Sequence, residues 1–289
     1  MTDNRLRSML DRGDFILAPG VHDMMSAMIA TKIGFDVIYG SGYWLMASCH
    51  GLPDAGIATY TQMLERVSTL KRTSGAALIA DADTGYGGLL NVHTTVQGYE
   101  AAGVSGIQIE DQEFPKKCGH TPHRRCIPIS QMATKIRVAC DARKDQTNTL
   151  IIARTDCRQS EGLDAVLRRG EAYAEAGADL LFLEALETEE EMRTVCERLD
   201  HPLLANMADG GNSPILPVST LKEIGFSAAI FPATTSLAAN YAVEKALRTL
   251  KETGTSQSPN VPLFDFREFC RLIGFEEVWA FEKKWISDE

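Results

Sequence analysis

Eight short apolar runs, each followed by a stretch of helical periodicity, recur along the chain, and this alternation limits the fold more than any other feature. The runs fall at 14–19, 35–40, 76–81, 105–110, 149–154, 179–184, 202–206 and 228–232. Several, such as Thr149-Leu150-Ile151-Ile152-Ala153, show no polar alternation, as expected of parallel strands covered on both faces. Between them, 129–144 and 162–176 read as amphipathic helices. An open doubly wound sheet shares this alternation, but eight repeats within 289 residues match the count and size of a (β/α)8 TIM-type barrel. A recurring turn supports that choice. Gly34, Gly103, Gly177 and Gly225 each close a helical stretch and precede a strand. Glycine just past a helix adopts the left-handed conformation with no Cβ clash, so one helix-to-strand turn is used four times.

The expected organisation is a barrel over residues 1–254 and a linker with a C-terminal helical extension over 255–289. After the eighth run, 237–250 reads as a helix and 254–262 as a Gly/Ser/Pro linker. One further amphipathic helix is predicted over 264–286, bearing Phe266, Phe269, Phe275, Trp279, Phe281 and Trp285. That much aromatic surface must be covered, either by its own barrel or by a neighbouring subunit.

Composition narrows the function. With 29 basic and 39 acidic residues the net charge is −10, which argues against nucleic acid or an anionic membrane as a partner. No apolar run approaches the roughly 18 residues of a membrane span. The first residues, Met1-Thr2-Asp3-Asn4-Arg5, lack the layout of a signal peptide. Seven cysteines, an odd number without C-x-x-C pairs, suit reduced thiols and a cytoplasmic setting.

In such a barrel the chemistry collects at the C-terminal ends of the strands. Here those ends carry Ser41-Gly42-Tyr43, Asp81-Ala82-Asp83, Glu110-Asp111, Arg154-Thr155-Asp156, Glu184 and Asn206. Asp81 and Asp83 alternate with Ala82, so on an extended segment both carboxylates point the same way, and Glu110 or Asp111 can join them. Hard oxygen ligands without histidine suit Mg²⁺ or Mn²⁺ rather than zinc. The fourth strand leads into a long loop with Lys116-Lys117-Cys118-Gly119-His120, then His123, Arg124 and Arg125. A thiol flanked by two lysines is expected to have its thiolate favoured, and a polar loop over a barrel mouth is a natural lid.

Taken together, Gly51-Leu52-Pro53-Asp54, Asp81-Ala82-Asp83-Thr84-Gly85-Tyr86-Gly87, Ile109-Glu110-Asp111-Gln112, Lys116-Lys117-Cys118-Gly119-His120 and Ala153-Arg154-Thr155-Asp156 resemble the isocitrate lyase/phosphoenolpyruvate mutase superfamily. The resemblance runs from about residue 10 to 285, and the cysteine loop resembles the lyase branch. It implies a barrel whose last helix is exchanged between neighbours in a homotetramer. It also implies Mg²⁺ held by Asp81 and Asp83, with Glu110 in support. Ser41, Gly42 and Tyr43 would bind a keto-acid portion, and Arg154 would clamp a carboxylate. Glu184 and Asn206 would line the site, with Cys118, Gly119 and His120 closing over it.

Among relatives of this kind, the methylisocitrate-cleaving enzymes carry an arginine shortly after the proline that ends strand eight, where this chain has Leu237. Losing a cation there counts against a tricarboxylate, because a buried unpaired carboxylate is expensive. The expected substrate is therefore a substituted 2-hydroxy dicarboxylate of the 2,3-dimethylmalate type, with Arg267 as a remaining cationic contact. Cleavage would release pyruvate and a small carboxylic acid, with Tyr43 or Asp54 as base and Cys118 as proton donor. The alternatives are 2-methylisocitrate cleavage, and oxaloacetate hydrolysis or decarboxylation. A catalytically inactive binding scaffold is a further class, disfavoured by the joint presence of the carboxylates, Arg154 and the thiol.

Overall fold

The computed structural model describes residues 3–121 and 123–286. Its eight strands are β1 (Ile16–Val21), β2 (Val37–Gly40), β3 (Ala77–Asp81), β4 (Gly106–Glu110), β5 (Leu150–Thr155), β6 (Leu180–Leu183), β7 (Leu203–Asn206) and β8 (Ala228–Phe231). All pair in parallel, each with the next, and β8 returns to β1 through Ile16↔Ala228 and Pro19↔Phe231. The predicted (β/α)8 barrel is therefore closed, and each predicted strand lies within two residues of its position. Helices α1 (Arg5–Arg12), α2 (Met24–Ile33), α3 (Gly42–His50), α4 (Tyr60–Thr73), α5 (Leu89–Ala101) and α6 (Ile129–Ala142) belong to its first half. Helices α7 (Arg158–Glu161), α8 (Leu163–Glu175), α9 (Glu189–Arg198), α10 (Val218–Ile224) and α11 (Thr234–Thr253) follow. The four turn glycines all have left-handed backbones, with φ of 103°, 85°, 102° and 114° in chain order.

Residues alternating along each strand sort into two cores, because successive side chains in a strand leave opposite faces. Ile16, Val37, Ile79, Ile152, Phe182 and Ile230 fill the barrel interior, and Leu6 of α1 joins them. Ile38, Leu78, Ile107, Ile151, Leu181 and Ala229 belong to the second core, packed with apolar side chains of the surrounding helices. Both faces are dry, which explains the continuous apolar runs. The same period of two places the site. The inward series continue Ala77-Ile79-Asp81, Gly106-Gln108-Glu110, Leu150-Ile152-Arg154, Leu180-Phe182-Glu184 and Leu204-Asn206, so each ends in a polar side chain at the C-terminal rim.

The described chain divides into two compact units between Ser236 and Leu237, inside α11. Past that point Leu237, Tyr241, Val243 and Leu247 of α11 are exposed. The single helix predicted over 264–286 is two: α12 (Phe266–Leu272), capped by Asp265, and α13 (Phe275–Trp285). Gly274, with φ of 89°, makes the break, a backbone state that a helix interior does not contain. The aromatics pair along α13, Phe275 with Trp279 at 5.9 Å and Phe281 with Trp285 at 6.4 Å between ring centroids.

Barrel closure depends on a close approach at Gly20, where an added Cβ would lie 2.2 Å from the Pro232 carbonyl oxygen. Backbone cannot yield as a side-chain tip can. Gly20→Ala is expected to destabilise the protein by about 1–3 kcal/mol, read as a lower urea midpoint at unchanged m-value.

Candidate active site

The site starts where β2 ends. Ser41 is buried at the N-cap of α3, and its hydroxyl makes no capping bond. The Gly42 amide donates to Asp81 Oδ2 at 3.2 Å. Asp81 Oδ1 accepts from the Asp83 amide at 3.0 Å and from Gln108 Nε2 at 3.3 Å. Strand β3 ends at Asp81, and Asp83 has a left-handed backbone with φ of 48°. The expected extended Asp-Ala-Asp segment is thus replaced by a turn, which aspartate tolerates when its amide bonds locally. The carboxylates still converge. A Cβ built on Gly42 would lie 2.9 Å from Asp81 Oδ2 and 3.4 Å from Asp83 Oδ1, so glycine leaves open a small space faced by both oxygens.

On β4, Glu110 is buried, and its Oε1 has no hydrogen-bond partner. Burial pushes its carboxyl well above the usual range, against the pull of Lys116 and Arg154. Asp83 is pushed up to about 6, mainly by burial and despite Lys116 beside it. Asp111, the other acid considered at this strand end, turns elsewhere: its Oδ2 accepts from Tyr173 at 2.7 Å and Arg169 at 3.1 Å.

The loop after β4 is pinned at its base by the Gln112↔Cys126 bridge and by Ile127 N–H donating to the Asp111 carbonyl at 2.8 Å. Lys116, only 2% exposed, places Nζ 2.5 Å from both Asp54 Oδ1 and Asp83 Oδ1. Lys117 is held by its backbone, which exchanges two hydrogen bonds with the Gln112 amide. The Lys116 ammonium is thus engaged by carboxylates, and Lys117 is exposed. Burial pushes the Cys118 thiol up, opposite in direction to the favoured thiolate expected from its lysine neighbours.

Arg154 at the end of β5 makes a two-pronged pair with Asp156, Nε to Oδ2 at 3.0 Å and Nη2 to Oδ1 at 2.9 Å. Glu184 lies 3.2 Å and Glu110 3.5 Å from the same guanidinium, which sits 4.9 Å from the centre of the Phe182 ring. Gly119 fits against this group, since a Cβ there would come within 2.2 Å of Arg154 Nη2. Asn206 Nδ2 donates to both Glu184 oxygens, at 3.2 and 3.0 Å, while its own Oδ1 is buried without a partner. His120 Nε2 lies 3.6 Å from Glu184 Oε1.

Gly42, Asp54, Asp81, Asp83, Glu110, Gly119, His120, Arg154, Glu184 and Asn206 thus share one rim, joined by the contacts above, and Ser41 and Cys118 adjoin Gly42 and Gly119 in the chain. Tyr43 follows Gly42 on α3, half-buried, with its ring 4.7 Å from that of Trp44. Arg267 is exposed on α12 of the C-terminal unit. The sequence reading overlooked Lys116 as a bridge between carboxylates and assigned no part to Arg124 or Gln112. One available signal was the buried acid excess at the strand ends, which requires a cation from the adjoining loop.

Five carboxylates (Asp54, Asp83, Glu110, Asp156, Glu184) pair with three cations (Lys116, Arg124, Arg154), and Asp81 adds a sixth beside Asp83. This imbalance, the open space at Gly42 and the partnerless Glu110 oxygen fit a divalent cation. Among the described residues no three His, Cys, Asp or Glu side chains form a preset metal cage. Mg²⁺ needs none, because it keeps several waters and takes one or two protein carboxylates.

A family model described as phosphoenolpyruvate phosphomutase matches residues 6–251. The 2,3-dimethylmalate lyase of Eubacterium barkeri is 39% identical over 286 residues, covering 99% of each chain. The chain belongs to the phosphoenolpyruvate mutase/isocitrate lyase superfamily. Within this superfamily, a 2-methylisocitrate lyase of Bacillus subtilis is 39% identical, covering 96% of this chain and 91% of that one. The solved structure of oxaloacetate acetylhydrolase with 3,3-difluorooxalacetate superposes with a TM-score of 0.91 at 31% identity, covering 97% and 95%. Phosphonopyruvate hydrolase in complex with oxalate and Mg²⁺ superposes at 0.89 and 31% identity, covering 99% and 100%.

For this superfamily member, Gly42→Ala would put a methyl group where the Asp81 and Asp83 oxygens converge. Its affinity for Mn²⁺ by titration calorimetry is expected to fall roughly 10–100-fold, with the thermal midpoint little changed.

Proposed function

We infer that this chain is a carbon–carbon lyase acting on a substituted 2-hydroxy dicarboxylate of the 2,3-dimethylmalate type. The products would be pyruvate and a small carboxylic acid. One observation carries the reading: Gly119 of the loop lies against the guanidinium of Arg154, which brings the adjoining Cys118, whose thiol burial pushes up, to the same strand end. The identity of 39% to 2,3-dimethylmalate lyase along nearly the whole chain supports the lyase reading, and the equal identity to a 2-methylisocitrate lyase supports it as well. Leu237 favours the dicarboxylate, since leucine offers no charge to a third carboxylate.

Asp81 and Asp83, with Glu110 behind them, would hold Mg²⁺ or Mn²⁺, which lowers the pKa of a bound hydroxyl and stabilises negative charge on oxygen. Arg154 would bind a substrate carboxylate with the part of its guanidinium outside the pair with Asp156, while Ser41 and the Gly42 segment orient the keto-acid end. Tyr43 or Asp54 would take the proton from the 2-hydroxyl. The C2–C3 bond then breaks, the carbonyl of pyruvate forms at C2, and the bonding electron pair stays on C3. Cys118 would deliver its proton to C3, which completes the second acid. His120, Glu184 and Asn206 line this space, and Arg267 is proposed as a further contact to the substrate.

A homotetramer built from helix-swapped dimers is proposed on the exposure of Phe266, Trp279, Phe281 and Trp285 on α12 and α13. All seven cysteines are free, which supports a cytoplasmic setting. No described helix is long and apolar enough to cross a membrane.

The test is a substrate panel with Mg²⁺: 2,3-dimethylmalate, 2-methylisocitrate and oxaloacetate. Pyruvate release should be fastest from the first. Release chiefly from 2-methylisocitrate, or acetate plus oxalate from oxaloacetate, would replace this reading with the corresponding activity. Cys118→Ser should lower turnover roughly 10²–10⁴-fold, as loss of a positioned acid does, while pyruvate still binds. Unchanged turnover would remove Cys118 from the mechanism.

A further inference from the structure

Asp156, just past β5, is fully engaged. Its Oδ1 accepts from Arg154 Nη2 at 2.9 Å and from Arg124 Nη1 at 3.2 Å, while Oδ2 accepts from Arg154 Nε at 3.0 Å. Its amide donates to Asp111 Oδ1 at 3.0 Å, and Asp111 is itself gripped by Arg169 and Tyr173. Asp156 is thus a fixed point. Arg124 reaches it from the loop that carries Cys118 and Gly119, and its other nitrogen donates to Gln159 Oε1 on α7 at 2.6 Å. The Arg124 side chain is 2% exposed, an unusual state for an arginine unless its charge is answered.

The charges around Arg154 define what Arg124 contributes. Arg154 alone faces Asp156, Glu184 and Glu110, so its positive charge is already oversubscribed before any substrate carboxylate arrives. A second guanidinium on Asp156 takes up part of that negative charge and leaves more of Arg154's for a ligand. It also ties the return limb of the loop to the strand end that bears Arg154, while Gly119 of the outgoing limb rests on the same guanidinium.

We propose that Arg124 is a positioning residue which, through the shared carboxylate of Asp156, sets the orientation and available charge of Arg154 for a carboxylate ligand. This rests on the reading of Arg154 as the carboxylate clamp. The protein is titrated with Mn²⁺ alone, then with oxalate in saturating Mn²⁺, and thermal midpoints are recorded. Arg124→Gln is expected to weaken oxalate roughly 10–100-fold with Mn²⁺ affinity unchanged, and Arg124→Lys to recover part of the loss. Gln159→Leu, which leaves every charge in place, should weaken oxalate in the same direction by less, and it decides the matter if Arg124→Gln does not fold.

Arg154→Gln separates the two claims. If that variant binds oxalate as the parent does, the clamp reading fails. If it loses oxalate while Arg124→Gln and Gln159→Leu bind normally, the clamp stands and the role given to Arg124 is overturned. A lowered midpoint with Mn²⁺ and oxalate weakened together, and no recovery with lysine, overturns it as well by making Arg124 a fold residue only.

Discussion

More negative than positive charge is buried at the C-terminal rim of the barrel, and the rest of the site is organised around that fact. Five carboxylates pair with three cationic side chains there, and Asp81 adds a sixth carboxylate beside Asp83. Buried carboxylates that lack full compensation are held away from their ordinary ionised state, as the upward displacement of Asp83 and Glu110 shows. Such an arrangement is costly for folding and useful for chemistry, because it gives a divalent cation a strong reason to bind.

A closed barrel can carry this cost. Two dry cores, one inside the strands and one outside, fix the strand ends so that they cannot spread to relieve repulsion. The acids are also restrained individually: Asp81 by three donors, Asp111 by Arg169 and Tyr173, Asp156 by two guanidinium groups and a backbone pin. The loop after β4 completes the arrangement. Its Lys116 and Arg124 supply two of the three cations, so loop position and rim electrostatics form one system. The same loop carries the thiol of Cys118, which burial pushes up.

Much of this was legible from residue order. The inward series Leu150-Ile152-Arg154 and Ala77-Ile79-Asp81 announce both a strand and its functional end, since a period of two is a local property of extended chain. The four helix-terminating glycines were equally plain, because a left-handed residue is a local need. The loop was less so. Lys116 and Lys117 are adjacent in sequence, yet one is buried between Asp54 and Asp83 and the other is exposed, a difference no pattern of neighbours encodes. The break at Gly274 was visible as a glycine but was outweighed by the aromatic periodicity running through it.

The sequence by itself determined the barrel, the number and order of its strands, and the set of polar residues at its rim, because each depends on periodicity and turn chemistry within a few residues. Only the tertiary structure decided which charges meet: Lys116 with Asp54 and Asp83, Arg124 with Asp156, and Gly119 against Arg154. These partners lie on different elements, brought together by the fold of an irregular loop, and electrostatic pairing at that range is set by distance in space rather than separation along the chain.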